Sequence, residues 1–436
     1  MSYTIFDGTQ KWPFGTIPFS VDELSFPPGS PQRGNINAAV NAWNTGTAVV
    51  RFVPRRNEPD YVQFVPDEAI TASQVGRKGG RQDINAAFFP AIPLGTNVAA
   101  INQLADQVDC FYFDGAGALR VNWVVGTGTW TGPEALTGPG VGQPGQPLAM
   151  ERQLNNQIDV FFVDGNGVVN AMWVIDAGVW QGPVGLTPPG TAMPNSPIAT
   201  ARQTGHQIDI FFVDRFGVVN VMWVIDGGVW QGPVGLTPPN TALPGSQLAT
   251  ARQTANQIDL FFVDRFGVVN VMWVVDVGVW QGPVGLTPPE TAVPQSPLAT
   301  AAQTGNQIDL FFIDGNGVVK VMWVVDVGVW QGPVGLTPPN TASKGGQIAT
   351  ARQTGNQIDI FFVDPFGAVN VMWVIGVGVW QGPVGLTPRG TASPGCPIAT
   401  ARQTPNQIDL FFADNNGAVN VMWVVDVGTW QGPVVI

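Results

Sequence analysis

The sequence predicts a mainly β protein: a seven-bladed β-propeller of four-stranded blades, preceded by a small N-terminal α+β domain. The first observation is a pair of tryptophans that recurs every 50 residues, at 123/130, 173/180, 223/230, 273/280, 323/330, 373/380 and 423/430, without insertion or deletion. The second is that each repeat consists of short Val-, Ile-, Phe- and Trp-rich runs separated by Gly, Asn, Asp and Pro, with no helical stripe. A four-stranded unit repeated at about this length is typical of a propeller blade.

The third repeat shows how each strand is inferred. We place strands at 197–203, 207–214, 218–226 and 229–236, between clusters of turn residues. The second and third runs are apolar at both odd and even positions, so both faces of these strands must be covered. This burial is expected for a sheet packed between two neighbouring blades.

The connections between the strands agree with this assignment. Asp214-Arg215-Phe216-Gly217 supplies the residues of a tight hairpin, and the proline-rich run 237–241 ends one blade and leads to the next. Asp164-Gly-Asn166-Gly also resembles the beginning of a calcium loop, but the closing Glu is absent and the hairpin interpretation is favoured. The sequence leaves open whether the ring closes by packing of the last blade on the first or by a strand from residues 85–92.

The first 92 residues form a separate domain, and residues 93–436 form the propeller. Ile36, Ala39, Val40 and Trp43 have helical spacing, which predicts a short amphipathic helix ending at Gly46. Strand-like runs follow at 48–54 and 61–65, so we expect a small α+β fold here.

Residues 10–84 carry a family resemblance. The segments Trp12-Pro-Phe-Gly-Thr-Ile-Pro-Phe19, Val50-Arg-Phe-Val-Pro-Arg55 and Ser73-Gln-Val-Gly-Arg-Lys-Gly-Gly-Arg-Gln82 resemble the N-terminal lobe of astacin-family metalloproteases. In that family a helix bearing His-Glu-x-x-His follows. Here the chain reads Ile84-Asn-Ala-Ala-Phe-Phe-Pro90, and it contains one histidine in total. Because a zinc protease needs at least two, we expect a non-catalytic unit without metal that serves docking or homo-oligomerisation.

The repeats carry a second resemblance. The segments 207–211, 219–223 and 228–233 resemble the blades of PLL-like seven-bladed lectins. That resemblance implies shallow pockets between adjacent blades that hold fucose or related sugars. This sequence departs from those lectins in the third strand, where Asn220 and Val221 stand at positions that are generally Trp or His.

The residues themselves point to sugar binding by a separate route. A monosaccharide requires an aromatic surface for its C–H groups and planar polar side chains for its hydroxyls. Within each repeat we interpret the first Trp as core and the second as either blade packing or a ligand platform. The candidate sugar-binding residues are Trp180, Gln181, Arg152, Trp230, Gln231, Arg202, Trp280, Gln281, Arg252, Trp330, Gln331, Trp380, Gln381, Arg352, Trp430, Gln431 and Arg402.

The arginine of this set has two interpretations. It recurs in five repeats but is Asn102 in the first and Ala302 in the fifth. An arginine that holds the blade together should occur in every copy, which favours a ligand role, although it could instead pair with a nearby Asp. If the arginine binds the ligand, about five pockets are competent, and Thr131 in place of Gln231 indicates that the pocket of the first repeat is degraded.

Composition excludes several functions. The formal net charge is −12, and it resides in the propeller because residues 1–92 carry eight basic and eight acidic side chains. Such a surface repels nucleic acid. The sequence has no run of 18 apolar residues, so it predicts no membrane span. The lack of a signal sequence predicts a cytoplasmic protein or one released by a non-classical route.

Catalytic groups are equally scarce. His206 replaces an Asn that repeats 2 and 4 to 7 carry and is interpreted as a loop variant, while Cys110 and Cys396 are expected to be buried thiols. We therefore predict a multivalent glycan-binding lectin without enzymatic activity or cofactor. A protein-binding scaffold is the main alternative, and a glycosidase is a weaker one.

Overall fold

The computed structural model describes residues 16–23, 33, 36, 40, 51–59, 61–65, 81–85 and 97–436. The chain forms two compact units, Met1–Leu94 and Gly95–Ile436. No helix in these described ranges is long and apolar enough to cross a membrane.

The N-terminal unit contains a four-stranded sheet in the order β2-β1-β3-β4. Its strands are β1 (Thr16–Val21), β2 (Arg51–Pro54), β3 (Tyr61–Val65) and β4 (Arg81–Asn85). All three pairings are parallel, which requires crossover connections. The helical residues Arg33, Ile36 and Val40 lie in the first crossover, and Ile36 and Val40 pack against Val21. The helix predicted here is thus present at these positions, whereas Ala39, Trp43 and Gly46 lie outside the described residues.

The second unit consists of seven four-stranded sheets, each built from strands that are consecutive in the chain. They are blade 1, β5 (Ala99–Leu104), β6 (Gln107–Phe113), β7 (Leu119–Val125), β8 (Thr131–Ala135); blade 2, β9 (Ala149–Leu154), β10 (Gln157–Val163), β11 (Val169–Ile175), β12 (Gln181–Gly185); blade 3, β13 (Ala199–Arg202), β14 (Gln207–Val213), β15 (Val219–Ile225), β16 (Gln231–Gly235); blade 4, β17 (Leu248–Thr254), β18 (Gln257–Val263), β19 (Val269–Val275), β20 (Gln281–Gly285); blade 5, β21 (Ala299–Thr304), β22 (Gln307–Ile313), β23 (Val319–Val325), β24 (Gln331–Gly335); blade 6, β25 (Ile348–Thr354), β26 (Gln357–Val363), β27 (Val369–Ile375), β28 (Gln381–Gly385); and blade 7, β29 (Ile398–Thr404), β30 (Gln407–Ala413), β31 (Val419–Val425), β32 (Gln431–Val435). The predicted seven-bladed propeller is confirmed.

Burial follows the position of each strand in its blade. The second strands are almost entirely buried, the third strands are buried except at their last residues, and the fourth strands are exposed. A cavity is lined by the starts of the first strands of all seven blades, for example by Val98, Ile198 and Ile398. The first strands therefore surround the axis of the ring, and the fourth strands form its outer wall.

Adjacent blades are held together by apolar clusters. In the cluster between blades 3 and 4, Phe211 and Val221 of blade 3 pack against Leu260 and Phe262 of blade 4. A buried Phe of each blade also meets a Trp of the next blade edge-to-face. These pairs are Phe111/Trp180, Phe161/Trp230, Phe211/Trp280, Phe261/Trp330, Phe311/Trp380, Phe361/Trp430 and Phe411/Trp130.

The last of these pairs closes the ring. Phe411 and Val421 of blade 7 share a cluster with Val108, Cys110 and Val124 of blade 1. Both blades have four strands of their own, so the ring closes by packing of the last blade on the first, within the part of the chain that the structure describes. Cys110 and Cys396 are free and buried, as expected.

The loops are fixed by side-chain hydrogen bonds. Asp214 Oδ1 accepts from Phe216 N at 2.8 Å and from Val218 N at 3.0 Å, so the carboxylate stabilises the hairpin. Asp164 makes the same two bonds, at 2.9 Å each, in the segment that resembles a calcium loop. Gly217 has a φ of 73°, and a Cβ there would collide with the carbonyl of Ala242. The hairpin sequence is therefore explained by local structure.

Candidate functional site

Two sets of turns converge on one end of the ring, which we call the lower face. The hairpin between the first and second strands and the turn between the third and fourth strands both lie at this end, since the strands of a blade are antiparallel. In blade 3 these segments are 203–206 and 226–230. The candidate sugar-binding residues cluster around them.

The two tryptophans of a repeat face opposite neighbours. Trp230 packs against Phe161 of the preceding blade, with ring centroids 5.4 Å apart and an interplanar angle of 81°. Trp223 belongs instead to the cluster shared with the following blade. Both side chains are partly buried, so each combines a packing role with an accessible edge. The second Trp thus contributes to blade packing in all seven blades, which the sequence had left undecided.

Gln231 faces the following blade. It lies directly opposite Trp223 in the register of β15 and β16, and directly opposed residues of antiparallel strands share a face. Its side chain is exposed, and its Nε2 donates to the carbonyl of Val229 at 3.0 Å. A Trp and the Gln that follows it in sequence therefore belong to two different blade interfaces.

Arg202 bridges the interface with the preceding blade. Its Nη2 donates to the carbonyl oxygens of Arg152, at 3.0 Å, and of Gln153, at 2.8 Å. Arg152, Arg252, Arg352 and Arg402 make equivalent bonds to the blade that precedes each of them. The guanidinium partners are backbone carbonyls rather than the Asp considered from the sequence, and they tie neighbouring blades together.

The two exceptions to this arginine differ from each other. Asn102 Nδ2 donates to the carbonyl of Arg402 at 2.6 Å, so the shorter side chain makes the same bridge across the ring closure. Ala302 has no side-chain donor, and the interface between blades 4 and 5 lacks this bridge. Only one of the two substitutions, therefore, removes the bond.

This difference gives a stability prediction. Ala302→Arg should restore the bridge to the carbonyls of Arg252 and Gln253 and raise the free energy of unfolding by about 1 kcal/mol, a usual value for one hydrogen bond. Urea denaturation would measure the change, with Ala302→Leu as a control of similar apolar content but no donor. Equal stability of both variants would show that the arginine bridge does not stabilise the ring.

A buried amide–carboxyl chain lies beside each bridge, and its network was not foreseen from the sequence. Gln207 Nε2 donates to Gln203 Oε1 and to Asp209 Oδ1, both at 2.8 Å. Gln203 Nε2 in turn donates to the carbonyl of Asp276 in the next blade. The sequence signal was available, because Gln-x-x-x-Gln-x-Asp is identical in all seven repeats.

The pKa of the Asp in this hydrogen-bonded series is strongly raised. Asp209 is only 1% exposed, and its Oδ2 is buried without a hydrogen-bond partner among the described residues. Burial raises the pKa of Asp209 to about 7, and the hydrogen bond from Gln207 lowers it only in part. The carboxyl lies within the blade interface rather than on its surface.

His206 occupies the place of an asparagine. Its Nδ1 lies 2.7 Å from Asp226 Oδ1, where Asn256 and Asn306 bond Asp276 and Asp326 in their own blades. Both His206 and Asp226 are exposed. The interpretation of His206 as a loop variant is consistent with this geometry.

The candidate residues thus lie at shared blade interfaces, which we call interface grooves, with the Arg on the innermost strand and the Trp and Gln at the outermost strand. A complete groove has a Gln from one blade and a Trp and an Arg from the next. Four grooves carry all three residue types: Trp230 and Arg202 with Gln181, Trp280 and Arg252 with Gln231, Trp380 and Arg352 with Gln331, and Trp430 and Arg402 with Gln381. The other three grooves are incomplete. The groove of Trp180 and Arg152 has Thr131 in place of Gln. The groove of Trp330 and Gln281 has Ala302 in place of Arg, and that of Trp130 and Gln431 has Asn102 in place of Arg.

Known proteins match both units. The propeller is similar to the BP39L lectin of Burkholderia pseudomallei, with 38% identity, a TM-score of 0.77, and coverage of 79% of this chain and 99% of the lectin. A mutant of AofleA from Arthrobotrys oligospora shares the fold, with 12% identity, a TM-score of 0.53, and coverage of 77% and 91%.

The N-terminal unit matches a different family. The model of the Astacin peptidase family matches residues 4–88. Among proteins of curated function, none matches the sequence significantly. Both family resemblances noted in the sequence are confirmed.

Proposed function

Because the chain belongs to the family of the BP39L lectin, we propose that its propeller is a multivalent carbohydrate-binding lectin whose interface grooves hold the sugar. The observation that carries this proposal is the repetition of Trp, Gln and Arg at equivalent places around a closed ring. Fucose and related sugars are the first candidates, as the resemblance to PLL-like lectins implies.

The chemistry of a groove suits a neutral sugar. The accessible edge of Trp280 offers an apolar surface, and the exposed amide of Gln231 offers both a donor and an acceptor to hydroxyl groups. The guanidinium of Arg252 lies at the same interface and keeps N–H groups beyond those bonded to carbonyls. A sugar could then bind without rearrangement of the blades, because blade packing already positions these side chains.

The advantage of this arrangement is the number of sugar sites on one ring. A shallow site of this kind binds a monosaccharide with a Kd of about 10⁻³ to 10⁻⁶ M, and several sites on one rigid ring strengthen binding to clustered glycans by about 10² or more. Four complete grooves on one ring meet this condition. Repetition serves binding, whereas a catalytic site requires only one copy.

We propose no enzymatic role for either unit. Cleavage of a glycosidic bond needs two carboxyl groups in different environments across the sugar. Here Asp209 and its equivalents are buried in similar settings in every blade, and Asp226 lies on an exposed turn. The astacin-like unit belongs to a chain with one histidine, too few for the zinc ligands of that family.

A glycan array, followed by competition with free fucose and galactose, tests the lectin proposal. We expect a glycan signal that a free monosaccharide inhibits. Isothermal titration then gives the number of sites, and Gln231→Ala should lower it by one while Thr131→Ala, in a groove without Gln, leaves it unchanged. The absence of any glycan above background would exclude the proposal.

A second candidate is a protein-binding scaffold, and one observation favours it. Five of the seven blades expose a valine at the lower face; Val229 is 81% exposed, and Val179, Val279, Val329 and Val379 are similar. Exposed apolar side chains repeated on one face of a protein favour an interaction surface. If the propeller binds a protein through these valines, replacing Val329 and Val379 with Ser would abolish partner binding, and Gln231→Ala would not.

The N-terminal unit has a proposed role of its own. We propose that it docks the propeller or joins two copies of the chain, since it matches a family whose catalytic motif is missing here. Light scattering of the full chain would detect a dimer that a chain beginning at residue 95 does not form. Dimerisation would double the number of grooves that meet one glycan surface.

A further inference from the structure

One cavity of the ring carries positive charge and has no assigned role. It has a volume of about 320 Å³ and lies against the first strands of blades 6, 7 and 1. Its polar lining is Asn102, Arg352, Thr400 and Arg402, and the described residues that line it include no Asp or Glu. We propose that this cavity, beside the axis of the propeller, binds a small oxyanion: a phosphate or the carboxylate of an acidic sugar.

The cavity has a structural cause. At five interfaces, the guanidinium of an arginine lies across the carbonyl groups of the preceding blade. At the interface between blades 7 and 1, Asn102 takes its place and reaches only the carbonyl of Arg402. Because Asn is several atoms shorter than Arg, the space that a sixth guanidinium would fill remains open between blades 7 and 1, beside the backbone of Arg402.

Arg402 has donors available for a ligand. Its Nη2 donates to the carbonyl of Gln353 at 3.0 Å, whereas its Nε is buried and has no hydrogen-bond partner among the described residues. An unsatisfied buried donor of a charged group is costly, and an oxyanion would satisfy it with a charge-assisted bond. Arg352 also lines the cavity and adds a second positive charge nearby, with its Nη atoms bonded to the carbonyls of Ala302 and Gly355.

The acidic groups nearby do not neutralise the cavity. Asp409 follows Ile408, which lines the cavity, but its Oδ1 accepts from Gln407 Nε2 at 2.8 Å within the buried chain of blade 7. Burial raises the pKa of Asp409 to about 7, which reduces its negative charge near neutral pH. The chain as a whole is acidic, at −12, so a positive cavity within it selects anions locally.

The volume sets the size of the ligand. About 300 Å³ is the lower end of the range for small-molecule sites, enough for an inorganic phosphate or one monosaccharide. The inner strands around the cavity are rigid parts of the sheets, so a larger ligand would have to extend along the axis. The cavity shares Asn102, Arg352 and Arg402 with the interface grooves, but it lies at the innermost strands, and titration with inorganic phosphate tests it independently of binding of a neutral sugar.

The test measures anion binding by the full chain. Inorganic phosphate and sodium glucuronate would be titrated by calorimetry at constant ionic strength, with glucose as the neutral counterpart of glucuronate. We expect at least one anion to bind with one site per ring and glucose not to compete. Binding of phosphate alone would identify a tetrahedral oxyanion site, and binding of glucuronate would identify an acidic-sugar site.

Matched variants separate this cavity from the general effect of the arginines. Arg402→Gln should weaken anion binding by about tenfold or more, which corresponds to one charge-assisted bond. Arg202→Gln removes the same kind of bridge between blades but does not line the cavity, and it should change the affinity less than about twofold. Arg352→Gln and Arg252→Gln form a second pair with the same expectation. The proposal is overturned if neither anion binds to the unmodified chain, or if both members of each pair weaken binding equally.

Discussion

Replacing Phe411 with Ala is expected to lower the free energy of unfolding by about 3–5 kcal/mol, the usual cost of truncating a buried Phe. Phe411 is fully buried, and its ring meets Trp130 edge-to-face at 5.5 Å across the ring closure. No strand pairing joins blades 7 and 1 in the described part of the chain, so apolar packing supports most of this closure. The loss should therefore open the ring there first. Urea denaturation would measure the stability.

Cys110 reports the opening directly. It lies in the same cluster as Phe411, and its thiol is buried in the native ring. Phe361→Ala is the matched variant, because Phe361 meets Trp430 in the same geometry between blades 6 and 7, which the chain connects. We expect a thiol reagent to label Cys110 much faster in Phe411→Ala than in Phe361→Ala. Equal labelling rates would contradict a closure that depends mainly on apolar packing.

The propeller should be more stable at pH 5.5 than at pH 8, with a rise in Tm of at least about 5 °C. The reason is the buried Asp of each blade. Burial raises the pKa to about 7 for Asp109, Asp159, Asp209 and Asp409, and to about 6 for Asp259, Asp309 and Asp359. An unfolded Asp has a pKa of about 3.9.

These pKa values set the direction in which the free energy of unfolding changes with pH. Between pH 4 and 7, roughly, the folded ring holds protons that the unfolded chain has lost. Unfolding then releases protons, so the stability from these groups is complete below the unfolded pKa and is lost as the pH rises through the folded pKa. Each proton released changes the free energy of unfolding by about 1.4 kcal/mol per pH unit. Differential scanning calorimetry across this range measures the slope.

A variant separates the buried Asp groups from the overall negative charge, which would act in the same direction. Asp209→Asn, Asp259→Asn and Asp309→Asn combined keep the oxygen that accepts from Gln207 and its equivalents but cannot ionise. We expect this triple variant to be more stable than the original chain at pH 8 and to show a smaller dependence on pH. An unchanged slope would assign the effect to the net charge of −12 instead.

Much of the fold could be predicted because the repeat is exact. Strict 50-residue spacing fixes the number of units, and the burial of both faces of strands such as β14 requires neighbours on each side. Strand ends were placed within a few residues, since Asp214 and Gly217 encode the hairpin locally. The parallel sheet of the N-terminal unit was not predicted, because parallel pairing joins segments far apart in sequence.

The candidate residues were recognisable, but their grouping was not. Repetition identified Trp230, Gln231 and Arg202 as one set because they recur together. In the ring, Trp230 and Arg202 face the preceding blade, whereas Gln231 faces the following one. A period-two pattern along a strand indicates which residues share a face, but not which neighbour that face meets.

The sequence by itself determined the number of blades, the identity of their strands and hairpins, and the side chains that recur around the ring. All of these depend on local spacing and on the burial that an apolar strand requires. Only the tertiary structure decided that Arg202 bridges two blades, that Asn102 makes the same bridge at the closure, and that a cavity remains beside Arg402. These features depend on residues of different blades, up to 300 positions apart, that meet only when the ring has closed.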